Sequence, residues 1–326
     1  MLWIIFIVLI CTLLFIDLNV DYTSDKGLST KKALGVTSIW IAISLLFSIF
    51  IYYAYEFHWF GIGLHVGHDT GGTEAAINYL TGYLIEESLS IDNIFIIALI
   101  FGYFKIPPKY QRRLLFIGIM TAMVLRGVVI IGGSYLINKY AWITYIFGAF
   151  LIFTALRMLK SDDGEKDLKD SALYKFAIKL FPVTDKLHGK RFFVFENGKR
   201  FATPMFIALI IIELADVMFA FDSIPAIFAI TTDPFLVFTS NIFAILGLRS
   251  LYFVLASMLD RFAYLKYSLI VILAFVGVKL LMANIFHIPS LISLVIIIVL
   301  IALGIIISIR KSKQEAGHEP EEPEGL

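Results

Sequence analysis

An all-α polytopic membrane protein with about nine transmembrane helices is the fold class this sequence predicts, and three observations predict it. Of its 326 residues 59% are hydrophobic and only 16% charged, and the mean hydropathy is +0.87; a soluble globular domain carries roughly 25% charged residues. Apolar runs long enough to cross a bilayer recur along the chain. The basic residues between those runs fall almost wholly in alternate connections. The net charge of +1 leaves no electrostatic footprint for nucleic acid. The single cysteine, Cys11, lies in the first apolar run, so there is neither a disulfide framework nor a thiolate metal site.

The runs fall at about 1–18, 35–55, 75–101, 113–137, 141–159, 204–230, 235–258, 264–286 and 290–309. The first lacks a basic leading segment and a small-residue cleavage motif before Asp17, so it reads as a retained short helix rather than a signal peptide. One set of connections holds Lys26, Lys31 and Lys32, then Lys105, Lys109, Arg112 and Arg113, then the basic residues from Arg157 to Arg200, then Arg261 and Lys266, then Arg310, Lys311 and Lys313. The opposite set holds Lys139 alone. This asymmetry places the N-terminus outside and the C-terminus in the cytoplasm.

The chain thus divides into two N-terminal helices and an outer loop (1–74), a first three-helix unit (75–159), a cytoplasmic loop (160–203), a second three-helix unit (204–286), a last membrane helix (287–311) and a disordered acidic tail (312–326). Within the loop, Leu168, Ala172, Leu173, Phe176, Ala177 and Leu180 recur at helical spacing among lysines, which predicts a helix lying on the inner leaflet. Asn197-Gly198 between short Phe/Val-rich arms predicts a β-hairpin with a two-residue turn.

The two three-helix units carry matching ionisable residues. Asp92-Asn93-Ile94-Phe95 aligns with Asp222-Ser223-Ile224-Pro225, which sets Glu86 opposite Asp216, each six residues before its aspartate. One helix on, Arg126 matches Arg249; one further, Arg157 matches Lys279. The topology runs spans three and six in opposite directions, so the units form a 3+3 inverted repeat (spans 3–5 and 6–8), the pattern of secondary transporters whose sites lie at midplane between repeats.

The chemistry concentrates in spans three and six. Each intramembrane charge costs roughly 2.5–3.5 kcal/mol on insertion, so such groups are paired or functional. Glu86, Ser90 and Asn93 share one helix face at spacings of four and three; Asp216 and Ser223 share another, with Glu213 one turn earlier. Glu87, Asp92 and Asp222 fall off those stripes on ideal geometry. Pro225 cannot donate to the Phe221 carbonyl and is expected to kink or unwind the helix, either as plain packing or to free an oxygen for the site. Carboxylate, amide, hydroxyl and carbonyl oxygens suit hard divalent ions, Mg²⁺, Ca²⁺ or Mn²⁺, and neither stripe offers cysteine or histidine. A site that holds either protons or a metal ion suits an exchanger. Arg126 and Arg249, near the middle of their spans, are the expected internal partners of some acids; Lys279 reads as a further charge partner or a side chain snorkelling to the interface. His65, His68 and Asp69 read as an outer metal approach or simply as a loop.

The stretch from Glu86 to Asn93, taken with Glu213-Leu-Ala-Asp216 and Phe219-Ala-Phe-Asp222-Ser223-Ile-Pro225-Ala226, resembles the paired signature of the TerC family. The continuation from Ile227 through Asp233-Pro234 and Asn241 to Gly247-Leu-Arg249 is similar to its Alx branch, and the likeness covers roughly Glu74 to Ala283. The resemblance implies an inner-membrane protein linked to Mn²⁺ export, with a tellurium-resistance name inherited from some members and no bound cofactor besides the transported ion. It implies metal-site positions at Glu86, Ser90, Asp92, Asn93, Glu213, Asp216, Asp222 and Ser223. Glu87 departs from the commoner residue at its position and stands as an additional acid. Two rivals remain beside the Mn²⁺ reading: a Ca²⁺/cation exchanger, and a non-transporting membrane scaffold linked to metal or tellurium resistance. An intramembrane enzyme finds no support, because the sequence has no His-plus-Glu zinc helix, Ser/Lys dyad or phosphate-binding loop.

Overall fold

A computed structural model describes residues 1–19, 30–64, 70–140, 142–160, 172–180, 182–184, 187–196, 198–255, 265–282, 285–286 and 288–316. The histidines of the outer loop, His65 and His68, together with Asp69, and the sequence beyond Ala316 lie outside them. Asp92, Phe95 and Asp222 sit within helices, but their side chains are also outside what is described.

A helix lies over each predicted apolar run. These are α1 (Leu2–Asn19), α2 (Thr30–Glu56), α3 (Gly72–Tyr103), α4 (Pro108–Lys139), α5 (Ile143–Lys160), α7 (Pro204–Phe228), α8 (Pro234–Leu255), α9 (Leu265–Met282) and α10 (Ser290–Ala316). Among the described residues, six helices are long and apolar enough to cross a membrane: α2, α4, α5, α7, α8 and α10. Starts follow local chemistry. Proline stands at the first turn of α4 and α7, where its missing N–H costs nothing, and Asp233 caps α8 by accepting from the N–H of Phe235 at 2.8 Å.

The loop helix is α6 (Ala172–Leu180), shorter than the sequence pattern because residues 161–171 lie outside the description. Tyr174 rests against Tyr103 and Phe104 at the end of α3. The hairpin forms as predicted: β1 (Phe193–Glu196) pairs antiparallel with β2 (Lys199–Ala202), closing at Glu196 opposite Lys199. Gly198 takes φ +73°, which the tight turn requires.

Two expectations change. α7 runs unbroken through Pro225 to Phe228, so Pro225 is not a helix break. It lies in the last turn, forfeits one backbone bond, and is held by the packing of its buried neighbours Ile224, Ala226 and Ile227. Likewise α10 continues past Ser312 to Ala316, because Lys313, Gln314, Glu315 and Ala316 are good helix formers.

The packing of helices sets the site. α3 lies most extensively along α8 and also meets α7 and α2; α4 packs on α7 and α8; α5 lies along α9. Three apolar cores result. One joins α1, α2, α3 and α8 through Phe6, Phe47, Tyr79 and Phe243. A second gathers α5, α9 and the C-terminal halves of α4 and α7. The third joins the end of α3 to the starts of α4 and α7 and touches the hairpin through Phe193 on Phe206. The polar residues of α3 and α7 lie where these cores meet.

Candidate functional site

One side chain holds that junction together. Arg126 of α4 is 1% exposed and donates to acceptors on three other helices. It grips Asp216 of α7 with two bonds, Nη2 to Oδ1 at 2.7 Å and Nε to Oδ2 at 3.2 Å. It donates to Glu86 of α3 in a buried ion pair, and Nη1 also reaches Oδ1 of Asn241 on α8 at 3.3 Å. A planar guanidinium with five fixed donors is the one side chain able to do all this at once. The arrangement ties α3, α4, α7 and α8 into one unit. It also joins Glu86 to Asp216, the two acids that correspond in the repeated sequence.

Beside this knot lies a cavity of about 40 Å³, room for a few waters or for an ion that has shed most of its hydration shell. Its polar lining comes from Asn93 of α3 and from Glu213 and Asp216 of α7; its walls are apolar, among them Ile97, Leu115 and Leu248. Gly118 of α4 forms part of the wall, facing Glu213: a Cβ there would stand in ordinary contact with Glu213 Oε1, at 3.5 Å.

Among the described residues, several buried polar atoms find no hydrogen-bond partner: both oxygens of Glu213 and both amide atoms of Asn93, two residues that line the cavity, and Ser90 Oγ, Ser223 Oγ, Glu86 Oε2 and Asn241 Nδ2 on α3, α7 and α8. Nearly all buried polar side-chain atoms in proteins are satisfied, and an orphan costs about 1–3 kcal/mol. Two of the residues that carry such atoms, Glu213 and Asn93, face one another across α7 and α3 as lining of the same cavity.

The other predicted residues distribute as follows. Glu87 does not line the cavity: its Oε2 lies 4.0 Å from where a Cβ on Gly247 of α8 would be, near Trp40 of α2, and has no partner among the described residues. Arg249 is buried in α8, with its neighbour Ser250 accepting from Thr37 of α2 at 3.0 Å. Lys279, 7% exposed, donates to Ser293 of α10 at 2.8 Å rather than to a described acid. Asp92 and Asp222 occupy α3 and α7, with side chains outside the described residues. Among the described residues, no three of histidine, cysteine, aspartate and glutamate converge as a ready metal site; the described acids are divided between Arg126, the cavity and the α2–α8 seam. Sequence reasoning gave no role to Asn241. The available signal was an amide in an apolar helix, eight residues before Arg249.

A helical membrane protein with a buried carboxylate–guanidinium centre beside an oxygen-lined cavity is the class these features define. The model of the integral membrane protein TerC family matches residues 71–316, and the chain belongs to that family. It is 45% identical over 307 residues to an uncharacterized membrane protein of Rickettsia bellii, covering 94% of this chain and 96% of the relative. It is 42% identical over 322 residues to an Escherichia coli K12 protein, Alx, whose name proposes a membrane-bound redox modulator; the match covers 97% of this chain and 98% of that one. A protein of the same description from Photorhabdus laumondii is 41% identical over 317 residues, 97% of each chain. No solved structure matches the chain.

Proposed function

We propose that this protein is a secondary transporter, not an enzyme, that exports divalent metal cations, Mn²⁺ foremost, in exchange for protons. The observation that carries the reading is the cavity lined by Glu213, Asn93 and Asp216, where the buried oxygens of Glu213 and Asn93 have no partner among the described residues. A hard cation would satisfy them, and a described lining without sulfur or imidazole favours Mn²⁺, Mg²⁺ or Ca²⁺ over softer ions. The positions assigned to the ion are Glu86, Ser90, Asp92, Asn93, Glu213, Asp216, Asp222 and Ser223, with Glu87 as an additional acid. A thiol route to redox modulation would have Cys11 alone, exposed on α1.

Helix packing supports an inverted repeat of α3–α5 and α7–α9. The contact of α3 with α8 has its counterpart in α4 with α7, and that of α5 with α7 in α9 with α3. Loop charge supports an outside N-terminus, and the bacterial relatives support an inner membrane. The test is flux of radiolabelled Mn²⁺ in proteoliposomes, with and without a pH gradient and in competition with Ca²⁺, Mg²⁺, Zn²⁺ and Fe²⁺. Gradient-dependent Mn²⁺ flux supports the reading; Ca²⁺-specific flux moves it to a calcium exchanger, and no flux of any ion refutes transport.

A further inference from the structure

We propose that Arg126 is a tethered counter-cation: it occupies Glu86 and Asp216 when the site is free of metal and surrenders Asp216 when the divalent ion arrives. The inference rests on the transport reading and adds to it a residue that sets affinity and release. Arg126 is fully buried and holds both acids from a helix, α4, that contributes no carboxylate of its own to the site. Asp216 belongs to two neighbourhoods at once. It takes two bonds from the guanidinium, and it lines the cavity with Asn93 and Glu213. An ion seated among those three would share a carboxylate with a positive guanidinium, and two cations on one carboxylate in a low-dielectric interior repel strongly.

The arrangement provides for the exchange. Asn241 Oδ1 already accepts from Nη1 at 3.3 Å, so an uncharged acceptor remains to the guanidinium when it lets Asp216 go. Glu86 keeps one oxygen on Arg126 while Oε2 has no partner among the described residues. The division of the acids also follows: the described carboxylates do not converge on a metal site because the arginine stands where the ion's charge would. Return of the guanidinium to Asp216 would then expel the ion, which gives a tight site a route to release.

The experiment is an electron-paramagnetic-resonance titration of Mn²⁺ on the purified full-length protein in detergent, paired with transport kinetics in proteoliposomes, for wild type, Arg126→Gln and Arg126→Lys. Removing a competing cation tightens binding and slows release. Arg126→Gln is expected to lower the Mn²⁺ dissociation constant about tenfold, within the usual range of coupling between two ligands, and to lower maximal flux. Arg126→Lys keeps one charge but cannot hold two acids, so its tightening is smaller and its flux partly restored. A purely structural arginine would instead weaken binding in both variants. If wild type binds no Mn²⁺, the transport reading falls and this inference with it. If wild type binds but neither variant binds more tightly, this inference alone is overturned. Arg126→Lys decides the matter where Arg126→Gln does not fold.

Discussion

Asp216 and Glu213 lie one turn apart on α7, and neutralising each should have opposite effects on stability. Asp216 accepts two charge-assisted bonds from Arg126 at 2.7 and 3.2 Å. Breaking a buried pair by removing one partner costs about 3–5 kcal/mol. Glu86 still balances the arginine and the Asp216 side chain is 17% exposed, so Asp216→Asn falls lower, at about 2–3 kcal/mol. At roughly 2 °C per kcal/mol for a chain of this size, the midpoint drops by about 5 °C. Neither Glu213 oxygen has a partner among the described residues, so Glu213→Gln loses no described bond and removes a buried acid; its midpoint should match or exceed wild type. Thermal unfolding in detergent with a chelator present, followed by intrinsic fluorescence, reads both. Adding Mn²⁺ at a hundred times its dissociation constant should then stabilise wild type by about 2.7 kcal/mol and leave Glu213→Gln unmoved. A Glu213→Gln variant that loses as much as Asp216→Asn in chelator would mean that Glu213 is a structural acid, and the cavity would no longer be a cation site.

Other substitutions probe the frame. A Cβ on Gly277 of α9 would stand 2.9 Å from Ile152 Cγ1 and 3.1 Å from the Gly148 carbonyl oxygen of α5, so Gly277→Ala should force the two helices apart and cost about 1–3 kcal/mol, visible as a lower midpoint. Lys279 is buried with a serine as its described partner, and one hydroxyl does not offset an ammonium's desolvation; Lys279→Met should be at least as stable as wild type in the same scan. Asp233, in the short connection before α8, accepts from Tyr55 at 2.7 Å and caps Phe235. Burial pushes its carboxyl above the usual range despite those bonds. The folded protein therefore binds this proton more tightly than the unfolded chain, and its contribution to stability declines as pH rises above about 4. Asp233→Asn should flatten that slope while keeping the cap, and Asp233→Ala should lose about 2 kcal/mol by removing the cap and orphaning Tyr55.

The helices were legible because hydrocarbon leaves a spanning chain few options: an apolar run of some twenty residues must satisfy its own backbone, and the helix is how it does so. The hairpin was legible for an equally local reason, Asn197-Gly198 with Gly198 at positive φ. Pro225 misled because the sequence shows the missing donor but not the surrounding packing, and three buried neighbours sustain one further turn. The site itself was legible only as stripes. Helical spacing put Glu86, Ser90 and Asn93 on one face, and all three are buried. Spacing within one helix says nothing, however, about which stripe faces which, and that is decided by four helices meeting at Arg126.

That meeting explains why an amide passed over in the sequence, Asn241, sits with the acids, while Glu87, adjacent to Glu86 in the chain, looks toward α2 and α8. Consecutive helical residues point about 100° apart, so neighbouring carboxylates in one motif serve different surroundings. A knot of one arginine and two acids supplies strong cohesion between four helices, and a transporter that must move those helices has reason to make the knot depend on its cargo. On the transport reading proposed above, the bonds of Arg126 to Asp216 and to Glu86 are the ones a divalent ion would have to replace. Affinity for the ion and stability of the empty protein are therefore opposed at Asp216, and a substitution that tightens one by weakening Arg126 must loosen the other.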